Sequence, residues 1–89
     1  MKYHIFIRGK VQKVGFRKFT ASAAKKLHIV GWVKNNDDGK VEVVAEGEKE
    51  NLNKFVKKLK RGPLVSKVDE VKITEYPTTK TTFKSFEII

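Results

Sequence analysis

Tyr3-His4-Ile5-Phe6-Ile7-Arg8-Gly9-Lys10-Val11-Gln12-Lys13-Val14-Gly15-Phe16-Arg17-Lys18-Phe19-Thr20 changes its hydrophobic period partway along. Up to Arg8, Tyr3, Ile5 and Ile7 alternate with His4, Phe6 and Arg8. That pattern predicts a strand with apolar weight on both faces. From Phe16 onward, Phe16, Phe19, Thr20, Ala23 and Leu27 fall at helical spacing, and Ala21, Ala23 and Ala24 add helix propensity. A helix is expected from about Phe16 to Leu27. Between the two lies Gly9 to Gly15, a loop with glycine at each end.

Working outward, Ile29 to Lys34 reads as a second strand. Asn35-Asn36-Asp37-Asp38-Gly39 reads as a hairpin turn, since Asp-Gly supplies positive φ at low cost. Val41, Val43 and Ala45 alternate with Glu42, Val44 and Glu46 in a third strand. Leu52, Phe55, Val56 and Leu59 mark one face of a second helix. Its first turn carries Glu48 and Glu50, its last turn Lys57, Lys58, Lys60 and Arg61, and Gly62-Pro63 stops it. Val68, Val71 and Ile73 mark a fourth strand, Pro77 to Lys80 a loop, and Phe83 to Ile89 a short fifth strand. The order is β-α-β-β-α-β plus a terminal strand. It predicts an α+β, ferredoxin-like sandwich: an antiparallel sheet with two helices on one face. No repeat or linker divides residues 1–89, so one domain is expected.

Lys and Arg number 20 against 10 Asp and Glu, a formal charge of +10, and there is no cysteine. A disulfide framework, a thiolate zinc site and a cysteine nucleophile are thereby excluded. The apolar run of the first strand is too short for a signal peptide or a membrane span, so a soluble, cytoplasmic protein is expected. The positive charge fits a nucleic acid, a small anionic substrate or a well-solvated surface. Composition does not choose among these.

The loop is more selective. The first N–H groups of a helix lack intrahelical acceptors and carry partial positive charge. No Ser, Thr, Asp or Asn stands between Gly9 and Arg17 to cap them, and Gln12 is the one neutral polar side chain there. The donors are left for water or for a bound anion. Arg17 could add a planar fork matched to two phosphate oxygens. An ordinary glycine-bounded connection with a surface arginine remains the alternative, because a lone glycine-rich loop is a weak signal.

Residues 9–17 resemble the acylphosphatase signature G-x-V-Q-G-V-x-F-R, continued by Thr20 as in F-R-x-x-T. Gly31-Trp32-Val33-Lys34-Asn35-Asn36-Asp37-Asp38-Gly39-Lys40-Val41 resembles that family's second signature, and Gly47 also falls at a family glycine. The similarity covers the chain in order and length. It implies a small hydrolase that cleaves acyl phosphates to a carboxylate and inorganic phosphate. An acyl phosphate is a mixed anhydride whose leaving group is already a stable carboxylate, so strong acid catalysis of its departure is unnecessary. What remains is to position water and to stabilise phosphoryl charge.

By resemblance, Arg17 binds the phosphoryl group. The backbone amides of Lys10, Val11, Gln12, Lys13, Val14, Gly15 and Phe16 surround it, and Asn35 orients a water for direct in-line attack. Thr20 either supports Arg17 or simply faces the core. Neither a metal nor a cofactor is implied, and the expected partner is a small molecule, acting on a monomer away from nucleic acids and membranes. Lys13 departs from the pattern, standing where the family usually has glycine. If that position needs positive φ, lysine costs about 1 kcal/mol. It either distorts the cradle or adds a cation beside the anion.

Other residues read more plainly. His4 and His28 are far apart and make no metal set. Asp37 and Asp38 suit a tight turn. Lys57, Lys58, Lys60 and Arg61 match a helix C-terminus, Trp32 is expected in packing, and Asn36 occupies a variable motif position. An RNA-recognition domain shares the element order, but it needs stacking aromatics on its third strand, and Val41 to Glu46 has none. A catalytically weak phosphate-binding domain and a regulatory domain are the further alternatives.

Overall fold

A computed structural model describes residues 1–89. The elements are β1 (Lys2–Lys10), α1 (Phe16–Lys26), β2 (Val30–Asn35), β3 (Val41–Glu46), α2 (Lys49–Arg61), β4 (Lys67–Tyr76) and β5 (Phe86–Ile88). The sheet order is β4-β1-β3-β2-β5. The first four strands pair antiparallel, as the ferredoxin-like order requires. β5 adds parallel to β2 at the edge, so the complete sheet is mixed.

The alternation along β1 sets the layers. Tyr3, Ile5 and Ile7 are buried on one face, Val41, Val43 and Ala45 of β3 face the same way, and Val33 extends the row. Against that face pack Phe16, Ala23 and Ala24 of α1 with Leu52, Phe55, Val56 and Leu59 of α2. The Phe55 ring meets Phe86 of β5 edge-on at 6.1 Å. The other face keeps the second set of β1 side chains half-exposed. There His4 Nε2 and Glu42 Oε2 share a 2.7 Å hydrogen bond, and Lys34 lies 5.6 Å from the Trp32 ring centre. Trp32 is thus half-buried on the open face.

Several boundaries differ from the sequence reading. β1 continues to Lys10 instead of ending at Arg8, because β4 pairs with it there. Arg8 lies opposite Glu70 and Gly9 opposite Val68, which leaves Asp69 as an extra residue in β4. This bulge explains the uneven spacing of Val68, Val71 and Ile73, all of which pack on the core. At Gly9, φ is 137° and any side chain would overlap the Lys67 carbonyl oxygen. β2 runs on through Asn35, so the turn proper is Asn36 to Gly39. Asn36 N–H donates to Lys40 O at 2.8 Å, and Asp38 Oδ1 accepts from Lys40 N–H at 3.0 Å. β5 is shorter than expected, and Glu46, on the face of β3 away from the helices, is buried. It is 2 % exposed, and its carboxylate accepts from Thr82 N–H (2.7 Å), Thr82 Oγ1 (2.8 Å) and Phe83 N–H (3.2 Å). This contact pins the crossing from β4 to β5.

Candidate active site

Since β1 and β2 both run antiparallel to β3, they run parallel to each other, and β5 follows β2. The C-terminal ends of β1, β2 and β5 therefore meet at one end of the sheet. That end carries the loop into α1, Asn35 and Ile88.

The loop is anchored by the buried side chain of Val11. Two left-handed residues then turn it, Lys13 at φ 63° and Gly15 at φ 77°. Lysine thus adopts the conformation that glycine would take more cheaply. None of the N–H groups from Val11 to Gly15 donates to a protein acceptor. The first turn of α1 has no side-chain cap and no acidic residue. The result is a run of amide donors at a helix N-terminus, an arrangement suited to an anion.

These donors border a cavity of about 290 Å³. Three cations line it, Lys13, Arg17 and Lys18, and no carboxylate does. None of the three forms an ion pair with the protein. Asn35 reaches the cavity from the end of β2. Register explains its direction: Asn35 lies opposite Val41, which lies opposite Ile7, both on the helix-covered face. Asn36 points the other way, donating from Nδ2 to Glu42 Oε1 at 3.1 Å. The buried Oδ1 of Asn35 has no hydrogen-bond partner, an unusual state for a buried acceptor.

Of the residues named from sequence, the cavity gathers Val11, Lys13, Gly15, Phe16, Arg17 and Asn35. The side chains of the others lie elsewhere. Lys10 ends β1 opposite Lys67, Val14 packs on the core, and Gln12 turns toward the β2–β3 hairpin. Thr20 is fully buried and donates to Phe16 O at 2.8 Å, a bond within its own helix. Two cavity residues escaped the sequence reading. Lys18 was signalled by the lack of acid in the first helical turn. Ile88 carried no local signal, because it arrives through the β2–β5 pairing.

A larger cavity of about 620 Å³ lies at the opposite end of the sheet, between Met1, the start of α2 and Thr78–Thr81. It offers no arginine and no unpartnered buried side-chain acceptor. The smaller cavity alone gathers an unpaired arginine and the asparagine with an unpartnered amide oxygen. No helix is long and apolar enough to cross a membrane.

Comparison with known proteins identifies the family and the fold. The acylphosphatase family model matches residues 3–88. An acylphosphatase of Bacillus subtilis is 47 % identical over 75 residues, covering 84 % of this chain and 82 % of its own length. The crystal structure of acylphosphatase from Bacillus subtilis superposes with a TM-score of 0.94 at 42 % identity, over 99 % of this chain and 97 % of the other. The structure of an acylphosphatase from Coxiella burnetii gives 0.89 at 33 % identity, over 99 % and 90 %. With a family match over nearly its whole length and a glycine-bounded amide loop opening onto Arg17 and Asn35, the chain belongs to the acylphosphatase family.

Proposed function

We propose that the chain cleaves the carboxyl–phosphate bond of acyl phosphates, the activity of its family, with Arg17 and Asn35 as the catalytic pair. The phosphoryl oxygens accept hydrogen bonds from the loop amides and from the Arg17 guanidinium. Lys13 and Lys18 add positive field at the cavity. The side-chain amide of Asn35, which lines the cavity, hydrogen-bonds a water and so aims the water's oxygen at phosphorus. The new P–O bond forms as the bond to the acyl oxygen breaks. The carboxylate leaves without needing a proton, and the water's proton passes to the product phosphate. An amide is too weak a base to remove that proton beforehand, so Asn35 orients rather than deprotonates.

The observation that carries this reading is that Asn35, whose amide oxygen has no partner within the protein, lines the same cavity as the unpaired Arg17. All the groups invoked come from one chain. The working unit in this reading is a monomer, acting in the cytoplasm on a small molecule rather than on a nucleic acid or a lipid surface.

The test is turnover of benzoyl phosphate. Removing one preorganised donor costs about 100- to 1000-fold in kcat. Arg17→Ala is expected to lose that much and to weaken inhibition by inorganic phosphate. Asn35→Ala is expected to lose a similar factor with phosphate inhibition nearly unchanged. Near-native turnover in either variant refutes its role. Phosphate binding by the native chain without turnover would make it an anion-binding domain instead.

A further inference from the structure

Gln12 sits in the middle of the loop, yet its side chain does not line the cavity. Its Nε2 donates to Asn36 O at 2.7 Å and to Lys40 O at 3.0 Å. These two residues flank the turn that follows Asn35, and they are themselves joined by the 2.8 Å bond from Asn36 N–H to Lys40 O. Both protons of the Gln12 amide are therefore spent on the hairpin that carries Asn35. A rotated amide would set its oxygen against two carbonyls, so the orientation is fixed by its partners.

The sheet itself does not make this connection. β1 and β2 are not neighbours, because β3 lies between them. The loop leaving β1 and the asparagine ending β2 are thus set two strand spacings apart, about 10 Å. Gln12 makes the only side-chain hydrogen bonds that cross from the loop to the hairpin. We propose that Gln12 is a positioning residue that fixes the span between the phosphate cradle and the water-orienting Asn35. This rests on the reading of Arg17 and Asn35 given above.

A displacement of about 1 Å between reacting groups costs on the order of 100-fold in rate. Gln12→Met keeps the length and removes both donors. It is expected to lower kcat on benzoyl phosphate about 10- to 100-fold. The inhibition constant for inorganic phosphate is expected to stay within about 2-fold, since the amides and Arg17 still hold the anion. In the Asn35→Ala background the same substitution is expected to cost less than about 2-fold, because residues acting through one another are not additive.

Unchanged kcat in Gln12→Met overturns the proposal. So does a loss of phosphate affinity parallel to the loss of rate, or full multiplication of the two effects in the double variant. Gln12→Glu supplies a second test if Gln12→Met does not fold. Its protonated acid keeps one donor, so activity relative to the native chain should recover on acidification, and a flat ratio counts against the proposal. Absence of turnover in the native chain would instead refute the underlying reading of the site.

Discussion

Replacing Lys13 with glycine separates backbone strain from charge at the cavity. Lys13 is held at φ 63°, in the left-handed region where a side chain costs about 1–2 kcal/mol. Glycine removes that cost but enlarges the unfolded ensemble, giving back about 0.4–1 kcal/mol. The net expectation is about 0.5–1 kcal/mol of stabilisation, or a rise in Tm of roughly 2–8 °C for a domain of this size. Lys13→Ala is the control: it removes the same charge but keeps a Cβ, so the strain stays. Thermal melts of the three proteins at low and moderate salt would decide. Equal gains in Lys13→Gly and Lys13→Ala would mean that relief of repulsion with Arg17 and Lys18 is the cause, not φ. No gain in Lys13→Gly would refute the strain reasoning outright. Both variants lose one of the three cations lining the cavity, so inhibition by inorganic phosphate should weaken a few-fold, and less so as salt screens the field.

Glu46→Ala should lower stability by about 1–3 kcal/mol, because the Thr82 and Phe83 donors lose a buried acceptor; urea melts check this. Burial alone would raise the Glu46 carboxyl, but the Thr82 and Phe83 hydrogen bonds outweigh it and hold it below the ordinary range. Glu42 is likewise held low: burial opposes this, and the bonds to His4 and Asn36 overcome it. Groups with depressed folded values stabilise the protein above the unfolded carboxylate pKa and lose that contribution on acidification. Stability should therefore fall as pH drops below roughly 4, and Glu46→Gln should flatten the fall. At the site, Ile88 is 44 % exposed and gives the cavity an apolar wall beside its cations. Ile88→Ser should raise KM for benzoyl phosphate about 3- to 10-fold with a smaller effect on acetyl phosphate, which lacks the ring to bury. Equal effects on both substrates would remove Ile88 from acyl-group recognition.

The helices and the order of strands were legible because each period is a local property: Leu52, Phe55, Val56 and Leu59 announce a buried face without help from the rest of the chain. The uncapped start of α1 was legible through what the loop lacks, a Ser, Thr, Asp or Asn before Phe16. What stayed hidden depends on contacts distant in sequence. The Val68–Val71 step is uneven for a strand, and only the bulge opposite Gly9 accounts for it. Nothing near Glu46 in sequence shows that the chain returns at Thr82 to cover it. Gln12 was named for its backbone amide, and only the hairpin's carbonyls show which way its side chain turns. Asn35 was singled out by motif, yet it ends a strand instead of opening the turn, and that one-residue difference sends its side chain to the covered face.

The placement of β1 at the sheet's interior has a kinetic consequence. Ile5 lies between Val43 on one side and Ile73 on the other, so this interior strand has no nearby partner in sequence. Both closures are long, and their entropy is spent before the pairing repays it. Folding should therefore fall toward the slow end for a domain of this length, in milliseconds to seconds. During synthesis β1 has to wait unpaired until β3 has emerged, and its other edge stays open until β4 follows. The lysine and arginine residues that dominate the composition would then serve a second purpose, keeping the waiting chains apart by mutual repulsion.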